Sequence, residues 1–222
     1  MIIAIDGPSG AGKSTLAKHL ARDLGYMYLD TGAMYRALAL KILKEGLELA
    51  DSAKLEALVA STEIDMVERE GALQILLDGV EVSGSIRTPE VSQMASKASA
   101  FPVVRGRMLE LQRALGKRGN VVAEGRDIGT VIFPEAEVKI YLDASVQERA
   151  RRRSAELRAA GRSVTFEETV QELEERDKRD SERDVAPLRK AEDALAIDSS
   201  ALSAEAVFER ARQAVKQKSL TN

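Results

Sequence analysis

The run from Gly7 to Thr15, Gly-Pro-Ser-Gly-Ala-Gly-Lys-Ser-Thr, constrains this chain more than any other stretch. It fits the spacing G-x-x-x-x-G-K-S/T, with Gly7, Gly12, Lys13 and Ser14 in the fixed places. Ile2-Ile3-Ala4-Ile5 before it is a short apolar run that reads as a buried strand. Leu16-Ala17-Lys18-His19-Leu20-Ala21 after it reads as a helix with apolar residues three and four apart. Strand, glycine-rich loop and helix in this order make a cradle for a polyphosphate. Its oxygens must be met by successive backbone N–H groups, and side chains would stand in the way. Glycines at 7, 10 and 12 let the backbone come close, and the helix beginning near Lys13 points its positive end at the anion. Gly7, Pro8, Ser9, Gly10, Ala11, Gly12, Lys13, Ser14 and Thr15 are therefore the candidate seat of a nucleoside triphosphate. In such a seat Lys13 reaches the β- and γ-phosphates and the Ser14 hydroxyl ligates Mg²⁺.

At 222 residues the chain suits one α/β domain with insertions, or two small lobes. A net charge of −3 argues against a dedicated nucleic-acid binder. With no cysteine and one histidine there is no disulfide, no thiolate chemistry and no protein-built transition-metal site. The chain starts directly in a strand pattern, so no signal peptide is expected. No apolar run approaches the length of a bilayer span, and a cytoplasmic location is expected. His19 is expected on a helix surface and the six methionines in the core.

Along the chain, apolar runs at Tyr26–Leu29, Asn120–Ala123, Val138–Leu142 and Leu195–Ile197 join the first strand, and helical patterns separate them. Five apolar strands alternating with helices predict a parallel sheet covered on both faces. One helix is expected from about Ala33 to Lys44, with Met34, Leu38 and Ile42 on one face, and another from Asp51 to Val59. Between Thr62 and Val82 the period changes to two. Asp78-Gly79 marks a hairpin, so a small antiparallel patch is inserted there. Thr88-Pro89 reads as a cap with proline in the first helical turn, and Pro102 opens a helix ending near Gly119. Ser145-x-x-Glu148 and Thr165-x-x-Glu168 are two capping boxes, and Glu205 to Gln217 is the closing helix.

Ligands of such sheets sit outside the carboxyl ends of the strands. Asp30-Thr31-Gly32, shortly before Tyr35-Arg36, follows the second strand, and Glu124-Gly125-Arg126-Asp127 follows the third. Both deliver an arginine, whose planar fork suits a phosphate. Arg176, Asp180 and Arg183 share one face of a later helix, and Arg179 lies beside them. Ordinary i, i+4 pairs, Glu172 with Arg176 and Glu175 with Arg179, are the competing reading. The basic helix with Arg149, Arg151, Arg152 and Arg153 reads as a mobile lid that neutralises a transferring phosphoryl. As a nucleic-acid patch it is diluted by Glu148 and Glu156 and lacks aromatics for base stacking.

Over nearly its whole length the chain resembles the bacterial cytidylate kinases, a family of nucleoside monophosphate kinases. The motifs are Ile5-Asp6-Gly7-Pro8-Ser9-Gly10-Ala11-Gly12-Lys13-Ser14, Leu29-Asp30-Thr31-Gly32-Ala33-Met34-Tyr35-Arg36, Val82-Ser83-Gly84-x-Ile86-Arg87-Thr88, Gly125-Arg126-Asp127-Ile128-Gly129-Thr130-Val131, and Arg176-Asp177-x-Arg179-Asp180 through Arg183 to Ala186-Pro187-Leu188. The resemblance implies a P-loop three-layer α/β/α fold with a five-stranded parallel sheet, a small antiparallel β lobe and a short helical lid. The implied core is 1–35, 100–147 and 184–222, with an acceptor lobe at 36–99 and the lid with its flanking helix at 148–183. The implied reaction is phosphoryl transfer from ATP to CMP or dCMP, with Mg²⁺, by a monomer.

By the same resemblance Arg36, Arg126 and Arg183 hold the acceptor phosphate, with Thr31 and Tyr35 in the same pocket. Ser96, Arg105 and Asp127 read the base, Arg176 and Asp180 contact the ribose, and Arg149, Arg152 and Arg153 are lid arginines. Glu124 stands where many relatives have aspartate. Rival readings are a P-loop kinase for another acceptor and a nucleotide-dependent switch. The Asn-Lys-x-Asp signature of a GTPase is absent from the sequence.

Overall fold

The structure, a computed structural model, describes residues 1–69, 72–159 and 161–220. The chain divides into two compact units, Met1–Tyr28 with Gly119–Asn222, and Leu29–Arg118. The lobe expected at 36–99 lies within the second.

The first unit is built on a sheet of β1 (Ile2–Asp6), β2 (Met27–Asp30), β6 (Val121–Gly125), β7 (Val138–Asp143) and β8 (Leu195–Asp198), in the order β2-β6-β1-β7-β8. Pairing is parallel from β6 through β1 and β7 to β8. The central strand is apolar because both its faces are covered: Ile3, Ala4 and Ile5 are fully buried. Each isoleucine there contributes about 1.5–3 kcal/mol from side-chain burial. One face packs on α1 (Lys13–Leu24) and α8 (Ala204–Ser219), where Leu16, Leu20, Val207 and Phe208 meet Ile3, Ile5 and Ile140. Register then places the polar strand ends side by side, with Asp6 of β1 opposite both Gly125 of β6 and Tyr141 of β7. Helices α6 (Val146–Ala159) and α7 (Phe166–Glu182) follow β7.

The second unit carries α2 (Thr31–Lys44), α3 (Ser52–Ser61), α4 (Pro89–Ala98), α5 (Pro102–Gly116) and an antiparallel sheet β3-β4-β5 (Ile64–Arg69, Ala72–Leu77, Val80–Glu81). Asp78 and Gly79 both take positive φ, 49° and 80°. That is the backbone a two-residue hairpin needs, and Asp-Gly supplies it. Met34, Leu38 and Ile42 are fully buried, as their spacing predicts.

Several local expectations need correcting. α2 begins at Thr31, two residues early, because the Asp30 carboxylate accepts from Ala33 N at 2.8 Å and caps it. α5 stops at Gly116, before Gly119. Only half of the first capping box forms. Ser145 Oγ accepts from Glu148 N at 3.3 Å, but the Glu148 carboxylate turns to Arg151 and Arg152. The second box, Thr165 with Glu168, is complete. His19 is half-buried and stacks on Phe208, ring centroids 3.7 Å apart.

Candidate active site

The loop between β1 and α1 is fixed by close backbone approach. A Cβ on Gly7, at φ 149°, would lie 1.9 Å from the Leu142 carbonyl oxygen of β7. One on Gly10, at φ 80°, would lie 3.1 Å from Arg149 Cβ. No side chain caps α1 and no acid stands in its first turn. Its positive end therefore faces the loop without a neutralising group. Lys13 is buried, 5% exposed, and its Nζ donates to the Pro8 carbonyl at 2.7 Å. Burial, and then the Arg126 charge, lower the Lys13 amine from its usual value to about 7. Ser14 and Thr15 are exposed.

The carbonyl side of this loop is held from α6. Arg149 is 6% exposed, and its Nε donates to Ala144 O at 2.9 Å. Its Nη1 donates to Ser9 O at 3.1 Å, and its Nη2 stands 2.6 Å from the Asp177 carboxylate. Arg152 donates to Ser199 O at 2.7 Å and, more distantly at 3.4 Å, to Ala11 O, which also accepts from Ser199 Oγ. Its Nε lies on Glu148, whose carboxyl is held at about 2, first by Arg151 and then by Arg152. Where lid arginines are expected, the structure thus commits Arg149 and Arg152 to the loop and to Ser199. Arg153 pairs with the exposed Glu156 and is only half-buried.

Arg126, at the end of β6, donates through Nε to Asp180 of α7 at 2.8 Å. Arg176 Nε stands 3.9 Å from the same carboxylate. Arg183, just past α7, donates to Ala186 O and faces Asp127 at 3.6 Å. Burial works to raise the Asp180 carboxyl, but the guanidiniums of Arg126 and Arg176 outweigh it and hold the carboxyl below its usual value. Arg176 and Asp180 are themselves an i, i+4 pair, and their carboxylate also reaches across to Arg126 after β6. Arg126, Asp127, Arg176, Asp180 and Arg183 form one charge cluster at the ends of β6 and α7.

Asp6 closes the strand side of the site, and sequence reasoning gave it no role. Its two carboxylate oxygens accept from Ile128 N and Gly129 N at 2.7 and 2.8 Å. They pin a wide helical turn over 128–132 that follows Asp127. Burial raises the Asp6 carboxyl to about 6. An acid immediately before the glycine loop, at the end of a buried strand, was the available signal. Glu124 is buried beside it on β6 and accepts from Tyr28 Oη at 2.6 Å.

A cavity of about 300 Å³ opens beside the loop, lined by Gly12, Thr15, His19, Arg152, Ser199 and Phe208 among others. A larger, shallower groove along β8 and α8 includes no residue of the loop.

In the second unit Arg36 pairs with Asp30 at 3.2 Å. Thr31 is buried in the first turn of α2. The Arg105 guanidinium lies 5.8 Å from the Tyr35 ring centroid and donates to Ser99 O at 3.3 Å. Ser99 in turn donates to the carbonyl of Ser96, itself buried on α4. Tyr35, Ser96 and Arg105 are therefore neighbours through α2, α4 and α5.

Among the described residues no cluster of three His, Cys, Asp or Glu side chains forms a metal cage. Mg²⁺ seldom uses such a cage, and it binds through one or two protein oxygens with phosphates and waters. The exposed Ser14 hydroxyl on a triphosphate loop fits that manner of binding.

The model of the cytidylate kinase family matches residues 3–217. Cytidylate kinase of Syntrophotalea carbinolica is 51% identical over 218 residues, covering 98% of this chain and 93% of that protein. Cytidylate kinase of Bacillus subtilis is 48% identical over 217 residues, covering 98% and 97%. An uncharacterized protein of known structure from Eubacterium ventriosum shares the fold at 13% identity, with a TM-score of 0.52 over 97% of this chain and 98% of that one. From its phosphate loop to its last helix, this chain belongs to the cytidylate kinase family.

Proposed function

We infer that the chain transfers the γ-phosphoryl group of ATP to CMP and dCMP, giving ADP and the cytidine diphosphates. Family membership supports the reaction and disfavours another acceptor or a nucleotide switch. One structural observation carries the reading further. The loop of Lys13 follows β1, the Arg126 cluster follows β6, and these strands are neighbours with Asp6 opposite Gly125. That adjacency supports a donor seat at the loop beside an acceptor-phosphate seat at the arginines.

The nucleophile is an oxygen of the acceptor phosphate, ionised at neutral pH, so no general base is needed. Lys13 takes the β- and γ-phosphates on the loop. Arg126 and Arg183 take the acceptor phosphate, and Arg153 of the basic helix answers charge on the group in transfer. Ser14 would hold Mg²⁺, which would supply positive charge to neutralise the donor phosphates. The donor nucleoside is seated in the cavity beside Gly12 and Thr15. Arg176 and Asp180 contact the ribose. Thr31, Tyr35, Arg36, Ser96 and Arg105 of the second unit keep the acceptor roles that the resemblance implies. The chain works as a monomer in the cytoplasm under this reading.

Asp127 separates cytosine from uracil. A carboxylate accepts from the cytosine amino group, whereas uracil presents a carbonyl there. Leaving a buried acceptor unmet costs about 1–3 kcal/mol, roughly 5- to 150-fold. A coupled assay with ATP and a panel of monophosphates is expected to show CMP and dCMP as the best acceptors. Asp127→Ala is expected to narrow the CMP-over-UMP preference by that factor. Failure of the wild type to phosphorylate CMP refutes the reaction; an unchanged preference in the variant removes Asp127 from base reading.

A further inference from the structure

We propose that Asp177 and Arg149 are a positioning couple that sets the donor loop from the acceptor helix. The inference rests on the kinase reading above and assigns residues that touch neither substrate.

Three carbonyls of the loop are engaged in the structure. Pro8 O accepts from Lys13, Ser9 O from Arg149 and Ala11 O from Ser199. A carbonyl turned outward and held leaves the neighbouring N–H groups turned toward the anion, which is the arrangement a phosphate cradle requires. Arg149 does this from a buried position with every nitrogen committed: Nε to Ala144 O, Nη1 to Ser9 O and Nη2 to Asp177. Its Cβ also closes the space above Gly10. A guanidinium is planar, so fixing one edge on Asp177 fixes the edge aimed at Ser9.

Asp177 lies on α7 between Arg176 and Asp180. The helix therefore presents two carboxylates one turn apart. Asp180 faces Arg126 of the acceptor cluster, and Asp177 faces Arg149 behind the donor loop. A small shift or turn of α7 on filling the acceptor site is carried through one ion pair to the carbonyl of Ser9. Misplacement of reacting groups by about 1 Å costs of the order of 100-fold in rate, so the couple has leverage without contact.

The test is steady-state kinetics with full-length protein. Asp177→Asn keeps the shape and removes the charge. Its kcat is expected to fall and its KM for ATP to rise, each about tenfold or more, as for loss of a supporting partner. KM for CMP is expected to change less, within about threefold, because Arg126 and Arg176 keep their closer carboxylate, Asp180, and lose only the weaker field of Asp177. Arg149→Lys, which cannot span three partners, is expected to match it. The double variant should be no worse than Arg149→Lys alone, since both changes break one link. A lower melting temperature with kcat and both KM values unaltered in Asp177→Asn overturns the proposal, and so do fully additive losses in the cycle. An inactive wild type instead sinks the kinase reading. If Arg149→Lys does not fold, Asp177→Asn decides by its split between the two KM values.

Discussion

The phosphate loop and the arginine cluster around α7, the two proposed anion seats, are built by opposite means within one unit. From Gly7 to Ser14 the chain offers backbone N–H groups, glycines and one amine, and no carboxylate shields the helix end. The cluster offers side chains only, and its guanidiniums already face carboxylates: Arg126 and Arg176 on Asp180, Arg183 on Asp127. The electrostatic outcomes differ accordingly. Burial lowers Lys13 toward neutrality, whereas Asp180 raises Arg126 against the desolvation that works to lower it. Under the proposed reading, the seat that binds and releases a nucleoside triphosphate is poor in fixed charge. Under the same reading, the seat that orients a small monoester has its guanidiniums held by counter-charges.

The largest expected effect separates catalysis from stability at the loop. Lys13→Ala should lower turnover by about 100- to 1,000-fold, as for loss of one preorganised charge-stabilising donor. Its melting temperature should hold or rise, because the residue removed is a buried amine under desolvation strain. Turnover within tenfold of wild type would break the comparison on the loop side.

Next comes the opposite signature at the cluster. Asp180→Ala leaves Arg126 and Arg176 facing each other with no shared carboxylate. Removing one partner of a buried ion pair costs about 3–5 kcal/mol, and the partly open Arg126 places this case at the lower end. Urea unfolding should show the loss, accompanied by weaker CMP binding. A loss under about 1 kcal/mol, within the range of surface pairs, would mean that the cluster is held by other contacts.

The same contrast explains what the sequence made legible. The loop could be read because its demands are local: one strand, three positive-φ glycines and one helix start, all within twenty consecutive residues. The five strands and the Asp78-Gly79 hairpin were legible for the same reason, from period and turn chemistry. The cluster was only half legible. Spacing placed Arg176, Asp180 and Arg183 on one face, but the partner Arg126 lies 54 residues from Asp180 and comes to it through packing. Arg149 misled more. A run of arginines on a polar helix has the same pattern whether it swings over a ligand or braces a loop 140 residues away. Asp6 escaped because a carboxylate that accepts two backbone N–H groups from a distant turn carries no periodic mark.

The smallest expected effect is a proton, and it sharpens the comparison most directly. With Lys13 at about 7 in the free protein, the amine is largely neutral at pH 8.5. Phosphate oxygens at the loop favour its charged form, so binding raises its pKa and takes up a proton. Calorimetric titration with a non-hydrolysable ATP analogue, in buffers of different ionisation enthalpy, should show close to one proton absorbed per nucleotide at pH 8.5. Lys13→Arg, which stays charged, should show none. The sign also governs folding. Between about 7 and the ordinary lysine value the unfolded chain binds more protons than the folded one, so the Lys13 contribution makes the free protein more stable as pH rises through that window. Arg126, raised and paired, adds no such slope there. Absence of proton uptake in the wild type at pH 8.5 would mean that the loop lysine is already charged before nucleotide arrives, and the contrast between a discharged loop and a charged cluster would collapse.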